Sequence, residues 1–283
     1  MSPLATVGIP VFNEARFLET SLRSILEQDY PNLEIIVSDN ASTDTTFSLC
    51  TALLSHRTNT VLHRFETNQG ATENFRFVAE NAQGKYFMWA SGHDIWSPDL
   101  ISSCVELMER DPGIVVAFGT SAWIDEDGNP LPKYSGWIDT RGMQPTARLM
   151  TTVWGNMHPI LGLIRKSALD RARPLEPVVG ADLILLAQLA LQGDFAHVTS
   201  TSWCRREFRH EESHDQKVKR YRSSEYGLTK GSMIDRTFPL LRLPLGLAQS
   251  IIDADTLRFT EKLAVLAALF TMLPARYLDG KRK

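Results

Sequence analysis

Four short polar clusters in this chain hold residue types that can do chemistry: Pro10-Val11-Phe12-Asn13-Glu14, Asp39-Asn40-Ala41-Ser42-Thr43-Asp44, Asn68-Gln69-Gly70 and Ser91-Gly92-His93-Asp94. Carboxylates and an imidazole can move protons or hold a divalent cation. Amides, hydroxyls and backbone N–H groups can hold a polar ligand. Taken singly, each cluster is also ordinary turn and N-cap chemistry, because Asn, Asp, Gly and Ser are favoured there. What sets them apart is that each follows an apolar run of strand length.

Those runs are ATVGIPVF, LEIIVSD, TVLHRFE and KYFMWAS, and helix patterns separate them. After the first run, Leu18, Leu22, Ile25 and Leu26 fall on one helical face. TTFSLCTALLSH follows the second run. ATENFRFVAENA follows the third and places Phe75, Val78, Ala79 and Ala82 together. Strands alternating with helices of this length predict βαβ units and a mainly parallel, doubly wound sheet. In such sheets ligands bind outside the carboxyl ends of the strands. The four clusters are therefore expected along one edge, as one site.

Beyond about Leu100 the pattern loosens. GIVVAFGTSAWIDEDGNPL reads as a strand, a turn at Asp127-Gly128 and a return. HPILGLIRKSAL reads as a strand entering a helix. GADLILLAQLALQGDFAHV reads as a helix stopped by Gly193 and then a strand. Arg205 to Arg222 is dense in charge of both signs and reads as a solvated loop and helix.

The chain has 283 residues, 43% hydrophobic and 22% charged, which is enough for a sizeable core in one large domain or two smaller ones. A net charge of −3 excludes the electrostatic footprint of a general nucleic-acid binder. Cys50, Cys104 and Cys204 are odd in number and far apart, as expected of reduced thiols in a cytoplasmic protein. MSPLATVGIP reads as no signal peptide. Leu263 to Ala275 is too short to span a bilayer and reads as a packed helix. The terminal Lys-Arg-Lys keeps peripheral membrane contact through the C-terminal helices open as the alternative.

The stretches VGIPVFNEARFLETSLRSILEQDYPNLEIIVSDNASTDTT, NQGATENFRFVAENAQGKYFMWASGHDIWSPD and GADLILLAQLALQGDF resemble the inverting glycosyltransferases of family two, which have the GT-A fold. The resemblance is good over roughly residues 4–110 and looser to about 215. It implies an α/β GT-A domain over 1–215, with a nucleotide-binding half (1–100) and an acceptor half (101–215). Residues 216–283 would be a helical C-terminal extension.

The resemblance also implies roles. Asp39 would accept a hydrogen bond from the base, with Pro10, Val11 and Phe12 flanking it and Glu14 near the ribose. Asn13, Asn40, Ser42, Asn68 and Asn74 would complete the nucleotide site, and Gly70 would let the chain pass close to it. The diphosphate calls for a divalent cation, Mn2+ or Mg2+, held in the family by an acidic pair. Here Ser91 and His93 stand where acidic residues are expected, leaving His93 and Asp94 as metal ligands; Asp94 could instead orient the loop before Trp96. Asp94, Arg209 and His210 would also face the diphosphate. Asp182 opens a helix, where the macrodipole favours a carboxylate, and would be the base that deprotonates the acceptor. Asn156 and His158 would face the acceptor.

These roles imply an enzyme moving a sugar from a nucleotide diphosphate sugar, with UDP the first choice and dTDP or GDP the alternatives, to a carbohydrate or lipid-linked hydroxyl. The Q-x-x-R-W signature of processive synthases and spanning helices are both missing from the sequence, so a single-addition, non-processive enzyme is expected. The setting would be surface glycan or glycolipid assembly. A catalytically silent nucleotide-sugar-binding protein is the alternative. A Rossmann oxidoreductase is disfavoured, because Pro10-Val11-Phe12-Asn13 stands where G-x-G-x-x-G would be needed.

Overall fold

The computed structural model describes residues 2–133, 135, 139–155, 159–208 and 241–279, with side chains of the last helix described as far as 271. The elements of the first half are β1 (Ala5–Val11), α1 (Leu18–Leu26), β2 (Leu33–Asp39), α2 (Thr46–Leu54), β3 (Thr60–Arg64), α3 (Ala71–Glu80), β4 (Tyr86–Trp89), β5 (Ile95–Trp96) and α4 (Leu100–Arg110). Next come β6 (Ile114–Ile124), α5 (Pro145–Trp154), a 3-10 turn (Pro159–Leu161), β7 (Leu163–Arg165), α6 (Lys166–Arg171), α7 (Ala181–Gln192) and β8 (Asp194–Arg206). Two C-terminal helices follow, α8 (Arg242–Asp253) and α9 (Phe259–Asp279).

The strands form one sheet in the order β3-β2-β1-β4-β7-β6-β8-β5. β1 is parallel to β2 and β4, and β2 to β3. β7 is antiparallel to both β4 and β6, so β6 and its parallel neighbour β8 point the same way as β1. β5 runs antiparallel to β8 at the edge. This is the doubly wound, mainly parallel sheet that the alternating pattern predicts.

All seven residues of β1 are buried, as a parallel strand covered on both faces requires. On one face of the sheet Val7, Ile9, Ile35, Val37 and Met88 pack with Leu22 and Ile25 of α1, Cys50 of α2 and Cys104 of α4. On the other, Ile36, Phe87, Trp89, Val116 and Phe195 pack with Val78 of α3 and with Leu185 and Leu189 of α7. A third cluster joins Leu149 of α5, Ala187 and Leu191 of α7, Leu247 and Ile251 of α8, and Val265 and Leu269 of α9. Burial pushes the Cys50 and Cys104 thiols up to about 12, and all three cysteines are free.

Pro10 lies inside β1 without breaking it. Alternate residues of a parallel strand bond to opposite neighbours, and Gly8 is the last of β1 to bond towards the β4 side, accepting the Ala90 N–H. Pro10 comes next on that side, past the end of the ladder, where an N–H has no rung to fill.

Two expectations need correction. The return after Asp127-Gly128 is a single bridge, Ile124 to Pro130, because Pro130 and Pro132 cannot donate to a ladder. The charged segment from Arg205 does not begin as a solvated loop: β8 runs to Arg206, which is 8% exposed. The polar middle of that strand, Thr199 to Ser202, hides it from periodicity, and there the pairing slips past Gly119/Thr120 before resuming.

Candidate functional site

Asp39 ends β2 and is fully buried. Its carboxylate accepts the Ser42 N–H and lies 3.2 Å from Nε of Arg64. Arg64 is the last residue of β3, in register with Asp39 across the ladder. It also donates to the Ser42 carbonyl at 2.9 Å and lies over the Phe47 ring. The Arg64 side chain is 44% exposed, so this cation opens to solvent beside the buried carboxylate. Sequence reading missed Arg64; the signal is its position, one strand over from Asp39 at the same rung.

The loop amides are spent largely on one another. The Asn13 N–H donates to Ser42 Oγ, and Asn13 Oδ1 accepts the Thr43 N–H, both at 2.9 Å. The N–H groups of Glu14 and Ala15 donate to Thr46 Oγ1 and Asp44 Oδ2. The D-N-A-S-T-D-T-T run thus clamps the turn after β1, and both Asn13 (φ 53) and Ala41 (φ 60) are held in the left-handed region there. Asn40 donates to Asn68 Oδ1 and the Gly70 carbonyl and accepts the Gln69 N–H. Asn74 donates to the Val11 carbonyl, and its Oδ1 is buried without a partner. Gly70 has φ 87, which is what requires glycine there. Pro10 and Val11 are buried in β1, and Phe12 emerges at the rim, 39% exposed.

The loop after β4 meets Glu14. A Cβ on Gly92 would stand 3.0 Å from Glu14 Cγ, so glycine permits this approach. His93 Nδ1 lies 3.1 and 3.2 Å from the two Glu14 oxygens, and its Nε2 is 3.9 Å from Asp94 Oδ1. Asp94 is 2% exposed and accepts the Arg206 N–H at 2.9 Å. Burial pushes its carboxyl above the usual carboxylate range, a shift opposed by His93 and the Arg206 N–H. The Arg206 guanidinium donates to the carbonyls of His93, Asp125 and Glu126 and stacks over Phe17. Phe208 packs against both Phe17 and His93. Asp94 and Arg206 thereby fix the loop that presents His93. Asp94→Ala should leave the buried Arg206 N–H unpaired and cost about 1–3 kcal/mol of stability, read as a lowered urea midpoint at unchanged m. A midpoint equal to wild type would exclude this role.

Asp182 lies in the first turn of α7, exposed, behind Gly180 at φ 82. Only Gly193 separates α7 from β8. The N-terminal end of α7 packs on α8: a Cβ on Gly180 would stand 2.9 Å from Leu243, and one on Gly246 would stand 2.5 Å from Ile184. Asn156, His158, Arg209 and His210 lie outside the described residues.

A divalent cation was expected at His93 and Asp94. The buried Asp94 is turned to the Arg206 N–H, and Ser91 Oγ accepts the Asp94 N–H. Among the described residues no three His, Cys, Asp or Glu side chains are grouped to hold a metal. The donor set fits one protein ligand, His93 Nε2, backed by a carboxylate on Nδ1, as metal-bound imidazoles commonly are. Such a cation would need oxygens from its ligand to complete its shell.

The family model for Glycosyl transferase family 2 matches residues 6–172. A putative teichuronic acid biosynthesis glycosyltransferase, TuaG of Bacillus subtilis, is 30% identical over 135 residues, 47% of this chain and 52% of that protein. Glycosyltransferase GlyG of Streptococcus pneumoniae is 29% identical over 130 residues, 46% of this chain and 43% of that one. The chain spans from about a fifth to about half of the length of the curated relatives it matches. S. aureus TarS 1–349 in complex with UDP-GlcNAc superposes with a TM-score of 0.68 at 16% identity, over 94% of this chain and 71% of that chain. That likeness establishes a shared fold.

Proposed function

This chain belongs to glycosyltransferase family 2, and we propose from that membership that it transfers a sugar from UDP-sugar to a hydroxyl acceptor with inversion. The observation that carries the reading is the Asp39–Arg64 pair at the carboxyl edge, with Phe12 at the rim beside it. A uracil presents an N–H flanked by two carbonyls. Asp39 accepts that N–H, Arg64 donates to a flanking carbonyl, and Phe12 offers an aromatic face to the ring. TarS has been crystallised with UDP and with UDP-GlcNAc, which agrees with this base.

Asp182 takes the proton from the acceptor hydroxyl. The freed oxygen attacks the anomeric carbon from the face opposite the diphosphate, the carbon–oxygen bond to phosphate breaks, and its electron pair leaves with UDP. A divalent cation on His93, when bound, would offset the charge on the departing diphosphate. Glu14 and Phe208 hold the imidazole in place, and Asp94 and Arg206 hold the loop that carries it. A carbohydrate or lipid-linked acceptor in surface glycan assembly accords with the name of TuaG.

Ser91 and His93 at the expected acidic positions favour one second reading, a silent nucleotide-sugar binder of the same fold. The test is a thermal-shift panel of UDP-, dTDP- and GDP-sugars with Mn2+ and with Mg2+, followed by a free-nucleotide release assay on any donor that binds. A UDP-sugar should raise the melting temperature by mass action and then release UDP. Stabilisation without release would select the silent binder, and no stabilisation by any donor would overturn both.

A further inference from the structure

A cleft with a volume of about 180 Å³ lies between the segment after α6, the N-terminal half of α7, and α8. Leu175 and Val178 of the segment, Ile184 of α7 and Leu245 of α8 form its apolar wall. Pockets that enclose a drug-sized ligand run to roughly 300–1,000 Å³. This cleft therefore has room for one end of a ligand. None of its lining residues belongs to the loops that carry Asp39, His93 or Asp94, so it is a separate place from the donor edge.

The two amides in the wall are already engaged. Gln188 Oε1 accepts the Arg173 N–H at 2.7 Å, and Gln188 Nε2 donates to the Ile184 carbonyl. Gln249 Nε2 donates to Asp253 Oδ1 at 2.7 Å. Arg173 differs. One nitrogen of its guanidinium donates to the Gly246 carbonyl and to Ser250 Oγ, which ties the segment to α8. No carboxylate is paired with this partly buried cation among the described residues. A guanidinium carries five N–H donors in a planar fork that suits phosphate. Held by one nitrogen beside an apolar wall, Arg173 keeps donors for an anion.

The rest of the wall agrees in sign. Arg242 adds a second cation, and Glu176 is the one carboxylate among the lining residues; both are exposed. The wall also includes Ala181, in the first turn of α7, where the helix dipole favours an anion, while Asp182 in the same turn is not part of it. A phosphate matches the guanidinium and an aliphatic stem matches the leucines, valine and isoleucine. A neutral sugar would leave the cation unmatched.

We propose that this cleft binds the end of an alkyl phosphate, with the phosphate on Arg173 and the first carbons of the stem along Leu175, Val178, Ile184 and Leu245. This goes beyond the catalytic reading and does not rest on it.

The experiment is titration calorimetry of the full chain with hexyl phosphate, glycerol 3-phosphate and hexyl glucoside. Hexyl phosphate should bind about tenfold or more tighter than either of the others, because each of them lacks one half of the match. Saturating UDP should not displace it. Leu245 is 51% exposed, so Leu245→Glu and Leu245→Lys should both keep the wild-type melting temperature. Both shorten the apolar wall, but only glutamate brings a negative charge. Affinity for hexyl phosphate should therefore fall about tenfold further with Glu than with Lys. Should Leu245→Glu unfold, Arg242→Glu is compared with Arg242→Lys, and the same order is expected. Absence of hexyl phosphate binding overturns the proposal. So does binding matched by hexyl glucoside, which marks a neutral cleft, or by glycerol 3-phosphate, which marks a general anion site. Displacement by UDP, or equal losses with Glu and Lys, overturns it as well.

Discussion

Asp182→Asn should lower sugar transfer by roughly 10²-fold or more while donor affinity stays at the wild-type value. The substitution is nearly isosteric, and Asp182 is exposed with no ion pair or side-chain hydrogen bond shown among the described residues, so the fold should hardly register it. What is lost is the carboxylate proposed to accept the proton. The measurement separates binding from chemistry: calorimetry for UDP, then initial rates of transfer, with the melting temperature as a control. A loss confined to the rate assigns Asp182 to the reaction. Equal losses of affinity and rate would place it with the donor instead, and a wild-type rate would remove it from the mechanism.

Asp39→Asn should weaken UDP binding roughly tenfold to a hundredfold, about 1.5–3 kcal/mol for a lost charge-assisted hydrogen bond. Asparagine suits this test better than alanine. Asp39 is wholly buried and accepts the Ser42 N–H, so alanine would add a folding penalty to the binding one. Asn keeps an oxygen for Ser42 and turns an amide donor towards the base. Uracil presents an N–H there and cytosine a lone pair, so the ratio of CDP to UDP affinity should rise. Competition calorimetry with the two nucleotides reads this directly. An unchanged UDP affinity would mean that Asp39 serves only Ser42 and Arg64.

How far the sequence reaches is clear from individual residues. The four loops were legible because a buried parallel strand leaves an uninterrupted apolar run, and the polar residues after it mark its carboxyl end. Asp39 was legible at the end of β2 for the same reason, whereas Asp182 opens a helix and only the family resemblance singled it out. Arg64 was not, since its pairing with Asp39 depends on register across a ladder, which no single-strand pattern contains. Arg206 was hidden by the charge of its neighbours: a guanidinium that meets three carbonyls and a phenyl ring can be buried, but composition reads it as solvated. Asn13, Asn40 and Ser42 lie in the loops at the carboxyl ends of β1 and β2, and their polar atoms bind those loops to one another. Residue type cannot tell a ligand contact from a scaffold contact.

The pairing of β6 with β8 bears on how this chain is assembled. The quartet β3-β2-β1-β4 closes within the first ninety or so residues, through βαβ units whose partners are never far apart in sequence. β6 has no such neighbour to hand. Its long parallel partner begins at Asp194, seventy residues after β6 ends, and α5, β7, α6 and α7 lie between them. Chain-entropy cost grows with the length of the loop to be closed, and non-local parallel pairing is slow. On the ribosome the N-terminal half can therefore form early, while β6 waits with an unpaired edge until β8 has emerged. During that interval the apolar run Ile114–Phe118 is the segment most in need of protection from other chains.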